Sequence, residues 1–153
     1  METLSLDINQ IQQYQKNRSP YLLIDRITEL FPGKYAKGYK NLTMTEWFFP
    51  PHYPDNPMMP GLLQIEALNQ MIGMCILTLP EYRGMALISL GVDHAEFIKP
   101  VVPGDRLDIE AELTYLRRGI GKGKASGFVN RILVCKTEYI TSIPEVLKQF
   151  SPK

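Results

Sequence analysis

The sequence predicts an α+β fold in which an antiparallel sheet of about six strands wraps one long buried helix. Three observations lead there. From Pro60 to Leu79 the chain is apolar on nearly every side, through Leu62, Leu63, Ile65, Leu68, Ile72, Cys75 and Ile76, and Glu66 is the only charge between Pro57 and Leu79. A helix of that composition is buried around most of its circumference. Elsewhere apolar and polar residues alternate, most clearly where Leu107, Ile109, Ala111, Leu113 and Tyr115 interleave with Asp108, Glu110, Glu112 and Thr114, which gives one buried and one wet face. The strand-like runs are mostly joined by tight turns, which favours antiparallel neighbours.

In chain order, Leu4, Ile8, Ile11 and Tyr14 fall at helical spacing with Asp7 as the N-cap, so a short one-faced helix is expected first, ended by Asn17-Arg18-Ser19-Pro20. Tyr21 to Phe31 reads as a strand closed by Pro32-Gly33, the pair a type II turn requires, and Tyr35 to Thr43 returns as a second strand. Thr45-Glu46-Trp47-Phe48-Phe49 is an aromatic cluster expected to pack at the mouth of the central helix. Beyond the helix, Pro80 to Gly84 turns the chain into Met85–Ile98, read as a long inner strand with room for a bulge at Gly91. Pro103-Gly104 turns again into the alternating run. Gly119, Gly121 and Gly123 are read as a loose connection into Lys124–Asn130, and Ile132–Ile140 closes the sheet after a hairpin at Asn130-Arg131.

A chain of 153 residues with 44% apolar content suits one domain, residues 1–153, that buries a core without disulfides. Its net charge of +1 supplies no general attraction for nucleic acid or an anionic membrane, so an acidic partner has to be met by a local basic patch. Cys75 and Cys135 lie inside apolar patterns and are expected as buried free thiols in a reducing cytoplasm. With Glu2 and Asp7 near the start and no long apolar run, neither a signal peptide nor a membrane span is expected.

The chemistry concentrates in the stretch from Pro50 to Gln70. Five prolines, at 50, 51, 54, 57 and 60, stiffen a loop that presents His52. Histidine is the side chain whose ordinary pKa lies nearest neutrality, which makes His52 a candidate general base. Glu66, desolvated on the buried helix, is expected to have a raised pKa and is a candidate acid. Gly61 stands at the helix start, where backbone N–H groups lack intrahelical acceptors and the dipole favours developing negative charge; that is an oxyanion site. Base, acid and oxyanion donor together suit removal of a proton α to a carbonyl with loss of a β-hydroxyl. The plain alternative is a structural hydrogen-bonding role for both side chains, and His94, next to Asp93, is read as structural. Two histidines in separate elements leave no ligand set for a metal, and neither a phosphate-binding glycine loop nor a nucleophile motif is present, so no cofactor is expected.

His52-Tyr53-Pro54-x-x-Pro57-x-Met59-Pro60-Gly61 followed by Glu66-Ala67-Leu68-x-Gln70 resembles the signature of the FabZ-type 3-hydroxyacyl-acyl-carrier-protein dehydratases. Pro20–Arg26, Pro32-Gly33 and Phe97–Asp105 extend the similarity over most of the chain. The resemblance implies a hotdog fold and dehydration of 3-hydroxyacyl thioesters on acyl carrier protein in fatty-acid-type biosynthesis. It further implies a homodimer paired through the third strand of each chain, commonly three dimers to a hexamer, with His52 and Glu66 of opposite chains forming each active site. Gly61 then supplies the N–H for the thioester carbonyl, with Met59, Pro60 and Gln70 as substrate-binding neighbours. For the acidic carrier protein, Arg117, Arg118, Lys122 and Lys124 form a basic cluster, with Lys99 expected nearby. Glu66, where the related FabA type has Asp, favours dehydration without isomerisation. Readings from other classes are a hotdog acyl thioesterase and a non-catalytic acyl-binding protein. This chain departs from the family pattern at Asn17, where a histidine is usual, at Asp55, where a glycine is usual, and at Asn69, which places an amide on the helix face of Glu66 where a small residue is usual.

Overall fold

The computed structural model describes residues 2–152. Among them, strands β1 (Leu4–Leu6), β2 (Arg26–Phe31), β3 (Tyr35–Asn41), β4 (Ile88–Phe97), β5 (Arg106–Arg117), β6 (Ile120–Val129) and β7 (Ile132–Ser142) form one sheet in the order β1-β2-β3-β5-β6-β7-β4, with every neighbouring pair antiparallel. Helix α2 (Gly61–Leu77) lies across β3, β5, β6 and β7, and short helices α1 (Ile8–Ile11) and α3 (Pro144–Leu147) sit near the ends. The core is the space between α2 and the sheet, filled by Leu68, Met71, Ile72 and Cys75 from the helix and by Ile27, Leu30, Leu107, Ile109 and Val134 from the strands.

The turn residues behave as their chemistry requires. Gly33 takes φ +78° behind Pro32, and Asn130 and Arg131 both take positive φ, 50° and 67°, in the two-residue β6–β7 hairpin. Asp7 caps α1 with a reciprocal capping box to Gln10.

Four expectations need correction. The sheet has seven strands among the described residues, because Leu4–Leu6 is extended and pairs with Leu30 and Ile27, so Leu4 does not share the apolar spacing of the first helix. The first main strand begins at Arg26; residues 21–25 are irregular, with Leu23 held by a side chain of α2. Gly121 and Gly123 do not loosen a connection. They lie within β6, and a Cβ there would come within 2.8 Å of Ile76 and 2.5 Å of Ile72, so their bareness lets the strand reach the helix. Finally, Met85–Ile98 is not an inner strand: β4 pairs with β7 alone and forms the sheet edge, with Ile88, Leu90, Val92 and Phe97 all exposed. Apolar residues on both faces mark a strand covered on both sides, and within this chain they are not. The bulge at Gly91 is present, with a second register shift between Asp93 and Glu96.

The loop leading to His52 is anchored from below. The Lys40 ammonium, buried at the end of β3, is 2.7 Å from a Glu46 carboxylate oxygen and 3.4 Å from Asp25. Phe48 and Phe49, which follow Glu46 in the chain, are fully buried, while Trp47 stays exposed. A paired buried cation and two inserted rings fix where residues 50–60 begin.

Candidate active site

His52 is half-buried, and its loop is closed by reciprocal backbone bonds between Tyr53 and Asn56, at 3.0 and 3.1 Å. The Met58 N–H donates to the His52 carbonyl at 2.8 Å, and His52 Nδ1 lies 2.9 Å from the Met58 carbonyl oxygen. A carbonyl oxygen only accepts, so Nδ1 carries a hydrogen and the neutral ring presents its lone pair at Nε2. The next link is Met59, whose N–H donates to Val101 at 2.7 Å and whose carbonyl accepts from Gln64 Nε2 at 3.0 Å. Gln64 was legible in the sequence only as a polar interruption of the helix; in the structure it braces the Met59-Pro60-Gly61 corner.

At that corner α2 begins, with Pro60 as N-cap. The Leu63 and Gln64 N–H groups turn back to the Pro60 carbonyl, whereas those of Gly61 and Leu62 have no acceptor among the described residues. They are the free donors at the positive end of the helix dipole. The Phe97 ring packs on Gly61 so closely that a Cβ there would be 2.8 Å from it. His52, Met58, Gly61, Leu62, Phe97 and Lys99 line a cleft of about 480 Å³.

Glu66 opens elsewhere. With Asn69, Gln70, Gly73, Ser89 and Tyr139 it lines a smaller cavity of about 180 Å³, and this cavity shares no lining residue with the His52 cleft. Burial pushes the Glu66 carboxyl above its ordinary value, against a lowering hydrogen bond from Gln70. Tyr21, which the sequence reading did not single out, is pushed up by burial and by the nearby Glu66 charge. A larger cleft, about 750 Å³, runs over the outer sheet face among Lys37, Glu110, Glu112 and Lys124 and contains neither His52 nor Glu66. Its alternating charges describe a solvated surface, so the chemistry is placed by residue type and not by cleft size.

Other expected site residues take different places. Gln70 is tied into the chain: its Oε1 accepts from Leu23 N–H at 2.8 Å, and its Nε2 donates to the Tyr21 carbonyl at 2.8 Å and to Glu66 Oε1 at 3.1 Å. Both N–H groups of the amide are committed, one of them to Glu66. Met59 points into the core at 2% exposure, so it shapes the cleft wall. Arg117, Arg118, Lys122 and Lys124 lie on and beside the β5–β6 hairpin, where Arg118 stacks over Phe150 and Lys124 pairs with Glu112. Lys99 does not join them within the chain. Its N–H reaches Val134, while the hairpin end at Ile120 pairs with Ser142, so the two ends stand about 26 Å apart along β7. Asp55 is exposed and makes no ion pair or side-chain hydrogen bond among the described residues. His94 is an exposed residue of β4, 3.4 Å from Glu138. Cys75 and Cys135 are buried free thiols pushed up by burial to about 12. No three His, Cys, Asp or Glu side chains among the described residues gather as a metal site, and no helix is long and apolar enough to cross a membrane.

The chain is similar to known proteins over most of its length. The FabA-like domain family matches residues 16–138. A 3-hydroxyacyl-acyl-carrier-protein dehydratase FabZ of Desulforamulus reducens is 46% identical over 138 residues, which cover 90% of this chain and 97% of that protein. The FabZ of Bacillus subtilis is 44% identical over 140 residues, 92% of this chain and 99% of that one. Among solved structures, the dehydratase heterocomplex ApeI:P from Xenorhabdus doucetiae superposes with a TM-score of 0.75 over 94% of this chain and 97% of that chain; at 18% identity that likeness concerns the fold, a hotdog.

Proposed function

The chain belongs to the FabA-like domain family, in its FabZ branch, and from that premise we propose that it removes water from 3-hydroxyacyl thioesters carried on acyl carrier protein, giving trans-2-enoyl thioesters for fatty-acid synthesis. His52 Nε2 takes the proton from C2, and the Gly61 N–H holds the charge that develops on the thioester oxygen. The C2 electron pair forms the new double bond as the C3–O bond breaks, and the Glu66 carboxyl gives its proton to the departing oxygen, which leaves as water. Transfer of a proton from His52 back to Glu66 resets the site. The work of the protein is placement: Met58 sets the base's tautomer, Gln70 aims the acid, and burial keeps the acid protonated to higher pH than a free carboxyl.

The observation that carries this reading is the position of the two half-sites on β4. The Glu66 cavity touches Ser89 at the start of the strand, and the His52 cleft touches Phe97 at its end. β4 has an open edge lined with exposed apolar residues. If two chains pair there antiparallel, the start of each β4 lies opposite the end of the other, and His52 of one chain meets the partner's Glu66. One homodimer then holds two shared sites, and three dimers make a hexamer. The same pairing carries the Arg117-Arg118 hairpin of one chain toward the end of the dimer that holds the partner's Lys99, so Arg117, Arg118, Lys122, Lys124 and Lys99 form a composite docking surface for the acidic carrier protein. Buried unpaired thiols suit a reducing compartment, which supports a cytoplasmic enzyme. The test is to incubate the protein with 3-hydroxyacyl and enoyl thioesters and follow enoyl absorbance and free thiol separately. Enoyl without thiol supports dehydration; thiol release without enoyl identifies a thioesterase.

A further inference from the structure

Asn69 lies one turn beyond Glu66 on the same face of α2 and lines the same cavity. It is 7% exposed, and its Oδ1 is buried with no donor among the described residues. A buried acceptor without a donor is costly to keep. The other polar side chains around it are occupied: Gln70 by Leu23, Tyr21 and Glu66, Ser89 and Tyr139 by each other at 2.6 Å, and Asn17 by Gln15 at 3.0 Å. Lys16, whose ammonium has donors to give, is exposed and makes no hydrogen bond to Oδ1. Oδ1 of Asn69 is therefore an acceptor left without a donor among the described residues.

We propose that this donor is the leaving hydroxyl of the substrate, and that Asn69 is a substrate-positioning residue. The inference rests on the dehydratase reading above. Gln70 already occupies Glu66 Oε1, which leaves Oε2 to carry the acid proton. The 3-hydroxyl that receives this proton on its oxygen has a hydrogen of its own, and in a small cavity that hydrogen needs an acceptor. Asn69 Oδ1 supplies it, so the hydroxyl is gripped from two sides and its lone pair faces the acid. Selectivity follows: Asn69 contributes to binding of a chain with a hydroxyl at C3 and nothing to the saturated chain.

The experiment compares full-length wild type with Asn69→Leu, which keeps the volume and loses the acceptor, and with Asn69→Ala. For each, kcat and KM are measured with a 3-hydroxyacyl thioester, Ki with the saturated acyl thioester of equal length, and Tm by thermal melting. Both variants should lose about tenfold in kcat/KM, the worth of one hydrogen bond, with Ki unchanged. The Tm of Asn69→Leu should match or exceed wild type, because a buried orphan has been removed. Unchanged kcat/KM in Asn69→Ala, or a Ki that rises in parallel, overturns the proposal. A wild-type protein that fails to dehydrate at all overturns the dehydratase reading itself, which is a separate result from an active wild type with indifferent variants.

Discussion

His52 and Met58 are tied twice, by the Met58 N–H to the His52 carbonyl at 2.8 Å and by His52 Nδ1 to the Met58 carbonyl at 2.9 Å. His52 therefore rides on the same short loop that leads into the helix start at Gly61, and the nitrogen that keeps a free lone pair is chosen by backbone geometry. In 15N NMR of the neutral imidazole, Nδ1 should show the protonated shift and Nε2 the unprotonated one. The opposite pattern would leave the lone pair facing a carbonyl and would rule His52 out as the base in this geometry.

Glu66→Gln should lower the dehydration rate by about 10²–10⁴-fold, the usual worth of a general acid. Its effect on stability has the other sign. The folded pKa of Glu66 lies above its unfolded value, so its contribution to stability is present below the unfolded pKa and is lost as pH rises through the folded one. Relative to wild type, Glu66→Gln should thus gain in Tm between pH 4 and pH 8. A difference in Tm that does not change with pH would show that burial does not perturb this carboxyl.

Gly61→Ala keeps the N–H but places a methyl where the Phe97 ring now lies, 2.8 Å from the new Cβ. Either the ring or the helix start must shift, and a shift of an oxyanion donor costs about 10²-fold in rate. Adding Phe97→Ala should return part of the lost kcat/KM, measured as a double-mutant cycle. Simple additivity of the two losses would mean the ring does not set the position of the donor.

Charge reversal at Arg117 or at Arg118, both outside the His52 cleft lining, should raise KM for carrier-protein-linked substrates, steeply at low salt, and leave KM for a short thiol mimic unchanged. An equal rise with both substrates would place these residues in the pocket instead of on the docking surface.

The parts of this molecule that depend on local chemistry were legible in the sequence. Proline spacing announced the stiff His52 loop, the unbroken apolar helix set Glu66 apart, and Asn130-Arg131 marked a hairpin whose two residues do take positive φ. Less legible was anything decided by what lies across from a residue. Leu4 fits a helix spacing and an edge strand equally, and only its pairing with Leu30 decides. Gly121 and Gly123 read as loose until the helix they touch is known. The apolar faces of β4 read as inner because they suit a covered strand, yet this chain leaves them open. Gln70 carries a motif position, but its commitments to Tyr21 and Leu23, 49 and 47 residues away, are visible only in the fold.

The shared site is the central claim, and subunit complementation tests it most directly. His52→Ala and Glu66→Gln homodimers are each expected to be inactive. Mixed under conditions of subunit exchange, half of the dimers become heterodimers with one intact site of two, so activity should recover to about one quarter of wild type. Heterodimers demonstrated by mass spectrometry and still inactive would contradict the account.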